Sequence, residues 1–282
     1  MSFLREKAPR YVFESTVEGI SLPAVPIERV TAHLCPEIRL LELRNSQSRD
    51  ELESKALRFA RLISKEAGVP TESLGLTGSI LARIHNSAFS DIDLVVYGLD
   101  NALRVRTLLC TLKDSLSGEI RRLTGASKEK WICERLKSTP LRRQDVMNLF
   151  SRKWNIGSFE GTEFSVHAVH TEIELRGHYG DERYTPLGII DATARISGAE
   201  ESMFMPAVFQ VSHTNLKGSQ GVSAVGQIVS YEGLYADVAV EGETVSCRGK
   251  LEMVTSSSGI SHRILIGSPE AGGTDYLLPP MS

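Results

Sequence analysis

The feature that most constrains this chain is a pair of signals separated by a short gap. Leu76-Thr77-Gly78-Ser79 closes one apolar run, and Ser90-Asp91-Ile92-Asp93 opens another, Leu94-Val95-Val96. Side chains alternate along a strand, so Asp91 and Asp93 share one face while Ile92 and Leu94 share the other. The apolar face suits a core, which leaves two carboxylates side by side on the opposite face. Such a pair raises its own proton affinity unless a cation lies between the two groups. Hard oxygen ligands of this kind suit Mg²⁺, with Mn²⁺ as the alternative. Two ions ~3.5–4 Å apart can hold the attacking and leaving oxygens of an in-line displacement. Gly78 permits close approach of backbone to phosphate. Ser79 begins a predicted helix over 79–85, whose first N–H groups favour an anion. Arg83, four residues on, would share Ser79's helical face and meet a phosphate too. An isolated D-x-D usually marks a solvated strand end, and an isolated Gly-Ser is commoner still. Their joint occurrence around a predicted helix singles the stretch out.

The rest of the chain supplies context. At 282 residues it is long enough for two small domains. A formal net charge of -3 gives no global attraction to polyanions, so any nucleic-acid binding must be local. Cys35, Cys110, Cys133 and Cys247 are scattered, without the paired spacing of a zinc site or a disulfide framework. The opening MSFLREKAPR lacks the apolar stretch of a signal peptide, and no run approaches a membrane span. A cytoplasmic protein with no membrane partner is therefore expected.

Residues 1–46 read as a β-containing segment, with short strands at 11–13, 30–34 and 38–43. Residues 47–185 read as an α/β (α+β) domain with a mixed sheet. Its predicted helices are 48–67, with a capping box from Ser48 and Glu51, then 101–116, 128–137 and 143–154. Its predicted strands are 73–77, 91–97, 163–169 and 172–176. Residues 186–282 read as a small all-β barrel or sandwich, with strands at 188–196, 207–211, 222–231, 235–240, 244–254 and 262–266.

The Gly78-Ser79 and Asp91-x-Asp93 stretch resembles the nucleotidyltransferase signature of the DNA polymerase β superfamily. It is most similar to a group of predicted archaeal nucleotidyltransferases. There the runs read much like Leu76 to Leu81 and Ser90 to Gly98, and the likeness continues at Arg152-Lys153, Gly161-Thr162-Glu163-Phe164, Gly242-Glu243 and Gly249-Lys250-Leu251-Glu252. It spans about residues 50–282. The resemblance implies a nucleotidyltransferase fold and an Mg²⁺-dependent transfer of a nucleoside monophosphate from a nucleoside triphosphate to an acceptor hydroxyl. Asp91 and Asp93 would hold the metal, Gly78 and Ser79 would cradle the β and γ phosphates, and Arg83 would neutralise the leaving pyrophosphate.

The superfamily adds a third carboxylate from a later strand. On 163–169 the aligned position is Ser165, which cannot fill that role. Glu163 lies on the same face one strand repeat away and is the candidate, with Glu172 and Glu174 as further alternatives. His167 could act as a base, although a lone strand histidine is more often structural. Positive charge gathers between Arg121 and Lys153, with Trp131 and Trp154 in and beside it, which suits either an RNA acceptor or ordinary helix surfaces over a tryptophan core. Over 186–282 acidic residues outnumber basic ones two to one, against a phosphate-tracking barrel. The expected function is thus a nucleotidyltransferase with RNA among its acceptors. Its rivals are a non-catalytic nucleotide- or RNA-binding member of the fold, and a small-molecule nucleotidyltransferase.

Overall fold

The computed structural model describes residues 1–113, 118–175, 177–217, 221–222 and 224–281. The chain forms two compact units. One comprises Leu34–Lys137 and Phe150–Leu175, the other Met1–His33, Ser138–Leu149 and Arg176–Ser282.

The chain opens with α1 (Ser2–Lys7) and an antiparallel pair, β1 (Val12–Ser15) and β2 (Ile20–Pro23). Two helices follow, α2 (Pro36–Asn45) and α3 (Glu51–Ala67). The strands expected at 30–34 and 38–43 are absent, and helix α2 takes the place of the second. Pro36 stands at its first position, where the missing N–H goes unnoticed. Leu40 and Leu43, three residues apart, are buried. Gly75 allows this approach, since a Cβ there would lie 2.6 Å from that of Pro36. α3 starts two residues later than a Ser48 cap would put it. Asp50 accepts from the Glu53 N–H, and the Glu53 carboxylate accepts from the Asp50 N–H. Gly68 closes the helix in the left-handed conformation.

Next come β3 (Leu74–Leu76), the single turn α4 (Gly78–Leu81), β4 (Ile92–Tyr97) and α5 (Leu99–Leu112). Residues 114–116 of the longer helix predicted here lie outside the described residues. β5 (Ile120–Arg121), α6 (Gly125–Ser138), α7 (Arg143–Arg152), β6 (Ile156–Phe159) and β7 (Thr162–Val169) follow. The five strands form one mixed sheet in the order β3-β4-β7-β6-β5. β4 and β7 are parallel, and the other neighbours are antiparallel. One face packs on the helices: Phe59 of α3 lies against Phe164 of β7, ring centroids 4.5 Å apart. The strand predicted at 172–176 is a turn over its described residues. There the Glu174 carboxylate accepts from the Leu99 and Thr171 N–H groups and so caps the start of α5.

The all-β region contains β8 (Glu182–Gly198), β9 (Ala207–Lys217), β10 (Gln227–Ser230), β11 (Thr244–Ser256), β12 (Gly259–Ile266) and β13 (Tyr276–Leu278). The order is β12-β10-β9-β8-β11-β13, and an additional β11–β12 pairing closes the first five strands into a ring. Of the two architectures expected, this is the barrel. The strand predicted at 222–231 shortens to β10, and residue 223 lies outside the described residues. No strand forms at 235–240, where Asp237 takes a positive φ of 53° and breaks the extended run.

Candidate functional site

The sheet register assembles the site. β4 and β7 place Asp93 beside Ser165 and Ile92 beside Phe164, and the same offset carried one step back puts Asp91 alongside Glu163. β7 pairs Glu163 with Ser158 of β6, and β6 pairs Ser158 with Arg121 of β5. Directly paired residues project from the same face. One row across that face therefore reads Asp91, Glu163, Ser158, Arg121, and the next row carries Asp93 and Ser165. The opposite face, with Ile92, Leu94, Phe164 and Val166, is buried.

The Gly-Ser turn is laid directly on this face. The Thr77 N–H donates to the Asp93 carbonyl at 2.9 Å, extending the β3–β4 pairing by one step into the turn. Gly78 has a φ of 61°, and a Cβ there would overlap Asp93 Oδ2. No other residue type combines that dihedral with that approach. The Ser79 hydroxyl oxygen is buried and without a hydrogen-bond partner. A buried hydroxyl left in this state is unfavourable by about 1–3 kcal/mol until something bonds to it.

Asp93 is held from the other side. The Ser165 hydroxyl donates to Asp93 Oδ1 at 2.5 Å and lies 2.7 Å from His167 Nε2. With its proton directed at Asp93, Ser165 accepts from the imidazole, whose Nε2 is 3.8 Å from the same carboxylate oxygen. Burial opposes ionisation of Asp93, but His167 and Ser165 together outweigh it and hold the carboxyl below the ordinary aspartate range. Asp91 shifts the other way. Desolvation, then the charge of Asp93 and that of Glu163, push its carboxyl up, with Lys130 offsetting in part. The two aspartates are separated by a single residue yet unlike in proton affinity, and Glu163 is electrostatically part of the group. Ser165, the position that the sequence resemblance aligns with a third carboxylate, supports Asp93.

Arg83 is not where helical spacing predicts. α4 ends after one turn, Arg83 takes a left-handed φ of 57°, and its guanidinium pairs with Glu42 at 2.8 Å. A basic residue that sequence reasoning missed lies nearer the turn. Arg39 of α2 is 7% exposed, and its Nε donates to the Ile80 carbonyl at 3.0 Å. It also pairs with Glu53 at 2.5 Å and Glu42 at 3.4 Å. It therefore fixes α4 from below.

Among the described residues, one trio of acidic and histidine side chains has ligand atoms within 4.8 Å of one another: Asp50, Glu53 and His85. Asp50 and Glu53 are the reciprocal cap of α3, Glu53 also binds Arg39, and His85 lies 2.6 Å from Asp50. These oxygens are already occupied, and the trio ties the segment after α4 to the start of α3. Asp91, Asp93 and Glu163 do not form such a trio.

Over 280 residues the chain is 31% identical to the uncharacterized protein MJ1086 of Methanocaldococcus jannaschii, covering 98% of this chain and 78% of that protein. The chain belongs to the family of that archaeal protein. No family model matches it, and no solved structure does.

In this member of the family the tryptophans near the basic stretch are core residues. Trp131 and Trp154 are 9% and 6% exposed, and Trp131 packs on Phe150. Arg135 lies 4.5 Å above the Trp131 ring and Lys128 lies 5.4 Å from that of Phe150. These cations cover aromatic core, as helix-surface charges do, and neither tryptophan is available to stack on a base. No helix among the described residues is long and apolar enough to cross a membrane.

Proposed function

We propose that this chain is an Mg²⁺-dependent nucleotidyltransferase with the fold of the polymerase β superfamily, moving a nucleoside monophosphate from a nucleoside triphosphate to an acceptor hydroxyl. The observation that carries this reading is the seating of the Gly78-Ser79 turn on Asp93, with a buried Ser79 hydroxyl left unpartnered beside it. The turn brings backbone without a side chain against the carboxylate, and the idle hydroxyl fits a phosphate oxygen.

The donor set fits the metal. Asp91 and Asp93 are hard oxygen ligands on one face of a strand; desolvation and then the charge of Asp93 push the Asp91 carboxyl up, and a divalent cation would relieve the second of these. Mg²⁺, with Mn²⁺ as substitute, would be held by Asp91 and Asp93 and would supply charge neutralisation at the phosphates. The protein's own groups do the rest. Ser165 and His167 keep Asp93 ionised and aimed. Gly78 and Ser79 receive the β and γ phosphates, and Arg39 keeps their turn in place. Glu163, in register with Asp91, takes the proton of the acceptor hydroxyl. Arg83 stays with Glu42 and contributes to the turn's surroundings.

The test is titration of Mg²⁺·NTP into the wild-type chain and into Asp91→Asn/Asp93→Asn, followed by assay of pyrophosphate release. Normal binding by the double variant would remove the site. A second reading has its own support. Ser165 stands at the aligned position of the third carboxylate and is committed to Asp93, as in a member that binds nucleotide without turning it over. Glu163→Gln separates the two. The transferase reading expects pyrophosphate release to fall at least 100-fold with nucleotide binding retained. The binding reading expects no release from either protein.

A further inference from the structure

A cleft of about 530 Å³ opens at the other end of the Asp91 row. Arg121, Arg122, Thr124, Ser127, Ser158 and Glu163 are among the residues that line it. Its volume falls within the ~300–1,000 Å³ of small-molecule sites, but its lining is guanidinium, hydroxyl and carboxylate rather than aromatic. Leu123 is the one large apolar side chain among its lining residues. Such a wall offers charged and hydrogen-bonding groups to a hydrophilic ligand. Guanidinium groups bind phosphate through paired charge-assisted hydrogen bonds, and carboxylates and serine or threonine hydroxyls accept from a polyol.

The position of the cleft is as informative as its chemistry. Glu163 belongs to both the cleft and the carboxylate face. Arg121 and Glu163 flank Ser158 in the register, so their strands are two spacings apart, ~9–10 Å. Arg121, whose Nε donates to the Gly118 carbonyl at 3.2 Å, and Glu163 both line the cleft, and a span of that size suits one sugar-phosphate-sized molecule, phosphate at one end and hydroxyl at the other. Two further acidic residues, Glu119 and Glu160, line the cleft, and Arg58 lies in the field of both. Glu160 is neutralised by Arg58, which meets it through Nε at 2.9 Å and Nη2 at 2.5 Å.

We propose that this cleft is the acceptor site, and that the acceptor is a small polyhydroxylated compound carrying a phosphate, such as a pentose or hexose phosphate. The proposal rests on the transferase reading and names its acceptor class. Arg121 and Arg122 hold the acceptor's phosphate, and Ser158 and Thr124 hold its hydroxyls. Glu163 receives the proton of the reacting hydroxyl. The hydroxyl oxygen bonds to the α-phosphorus of the triphosphate, the bond from that phosphorus to the bridging oxygen of the β-phosphate breaks, and pyrophosphate leaves with that electron pair. An RNA end shares the phosphate and hydroxyl chemistry, but the tryptophans of the basic stretch, Trp131 and Trp154, are buried and offer it no stacking surface.

The experiment incubates the full chain with Mg²⁺ and each α-labelled ribonucleoside triphosphate. Acceptors offered are a panel of pentose and hexose phosphates, the same sugars without phosphate, and single-stranded RNA. The expected result is label in sugar phosphates alone. Arg121→Gln/Arg122→Gln, with its fold checked by circular dichroism, should raise the acceptor KM at least tenfold without weakening Mg²⁺·NTP binding. Label in RNA, equal labelling of unphosphorylated sugars, or an unchanged KM in the double variant overturns the proposal. If no acceptor is labelled while Mg²⁺·NTP binds and the aspartate double variant does not bind it, the acceptor proposal fails and the nucleotide site stands. If the wild-type chain binds no Mg²⁺·NTP, the underlying reading fails.

Discussion

In the barrel, Lys250 and Glu252 are each 1% exposed and lie 2.9 Å apart. Lys250 also reaches Glu270 at 3.2 Å, and Arg263 binds Glu252 at 2.8 Å while lying 3.5 Å from the Tyr184 ring centroid. Each of these charges has an opposite charge beside it. The carboxylate face of the mixed sheet is arranged differently. Asp91, Asp93 and Glu163 share a face, Asp91 is pushed up in proton affinity, and the Ser79 hydroxyl has no partner. The barrel withdraws its charges from water, whereas on the sheet face Asp91 is exposed and Asp93 and Glu163 are half-buried. In one the groups satisfy each other, and that is architecture. In the other, Asp93 is supported by Ser165 and His167 while Asp91 faces like charge and Ser79 lacks a partner, which a fold tolerates where a ligand completes the set.

This contrast can be broken experimentally, and the barrel should break hardest. Glu252→Ala leaves Lys250 and Arg263 buried without their shared partner, and should destabilise the protein by about 3–5 kcal/mol in urea denaturation. Mg²⁺·NTP affinity of the folded protein should not change. Arg39→Ala removes a buried donor from the Ile80 carbonyl and the cationic partner of Glu53. A loss of about 2–3 kcal/mol is expected, with nucleotide affinity falling alongside it, since α4 loses its support. Gly78→Ala places a methyl against Asp93 Oδ2 in a left-handed conformation. It should lower stability by about 1–3 kcal/mol and weaken Mg²⁺·NTP binding by more than tenfold in calorimetric titration.

Asp91→Asn should have the smallest effect on stability and the opposite sign. The folded state raises the Asp91 carboxyl, so ionisation there opposes folding above the folded pKa, and the penalty vanishes below the unfolded one. The residue is exposed enough for solvent to screen most of it. The variant should therefore gain less than about 1 kcal/mol at neutral pH, and that gain should disappear on acidification. Asp93 is lowered instead, so its stabilising share is present above the usual aspartate range and is lost as pH falls through its folded value. A pH series of denaturation midpoints on both single variants would display the two signs.

Much of the mixed-sheet face was legible in the sequence. Gly78, Ser79, Asp91 and Asp93 are local to one strand-turn-strand stretch, where alternation and glycine's freedom determine placement. What stayed hidden depends on partners distant in the chain. Ile38 and Leu41 of α2 are exposed while Leu40 and Leu43 are buried, so the apolar letters alone do not distinguish helix from strand there. Arg39 reads as a solvated charge until Ile80 and Glu53 are seen around it. Arg83 departs from its predicted face because the chain turns left-handed at that residue and Glu42 waits across the gap. Glu174 looks like a strand carboxylate, yet it caps a helix that begins 75 residues earlier. The barrel was legible as β structure, but its closure lies in the β11–β12 pairing, which alternation cannot reveal.

That closure has a dynamic consequence. A sheet with two edges can fray from either, one strand at a time. β11 instead pairs with β8 along its whole length, with β12 over residues 250–256, and with β13 over residues 246–248. Freeing it means opening the ring, so its amides should exchange with solvent through the unfolding of the barrel as a whole rather than by local opening. The strand that carries Lys250 and Glu252 is thus the lock of that unit, and its slowest-exchanging protons should report the moment the ring comes apart.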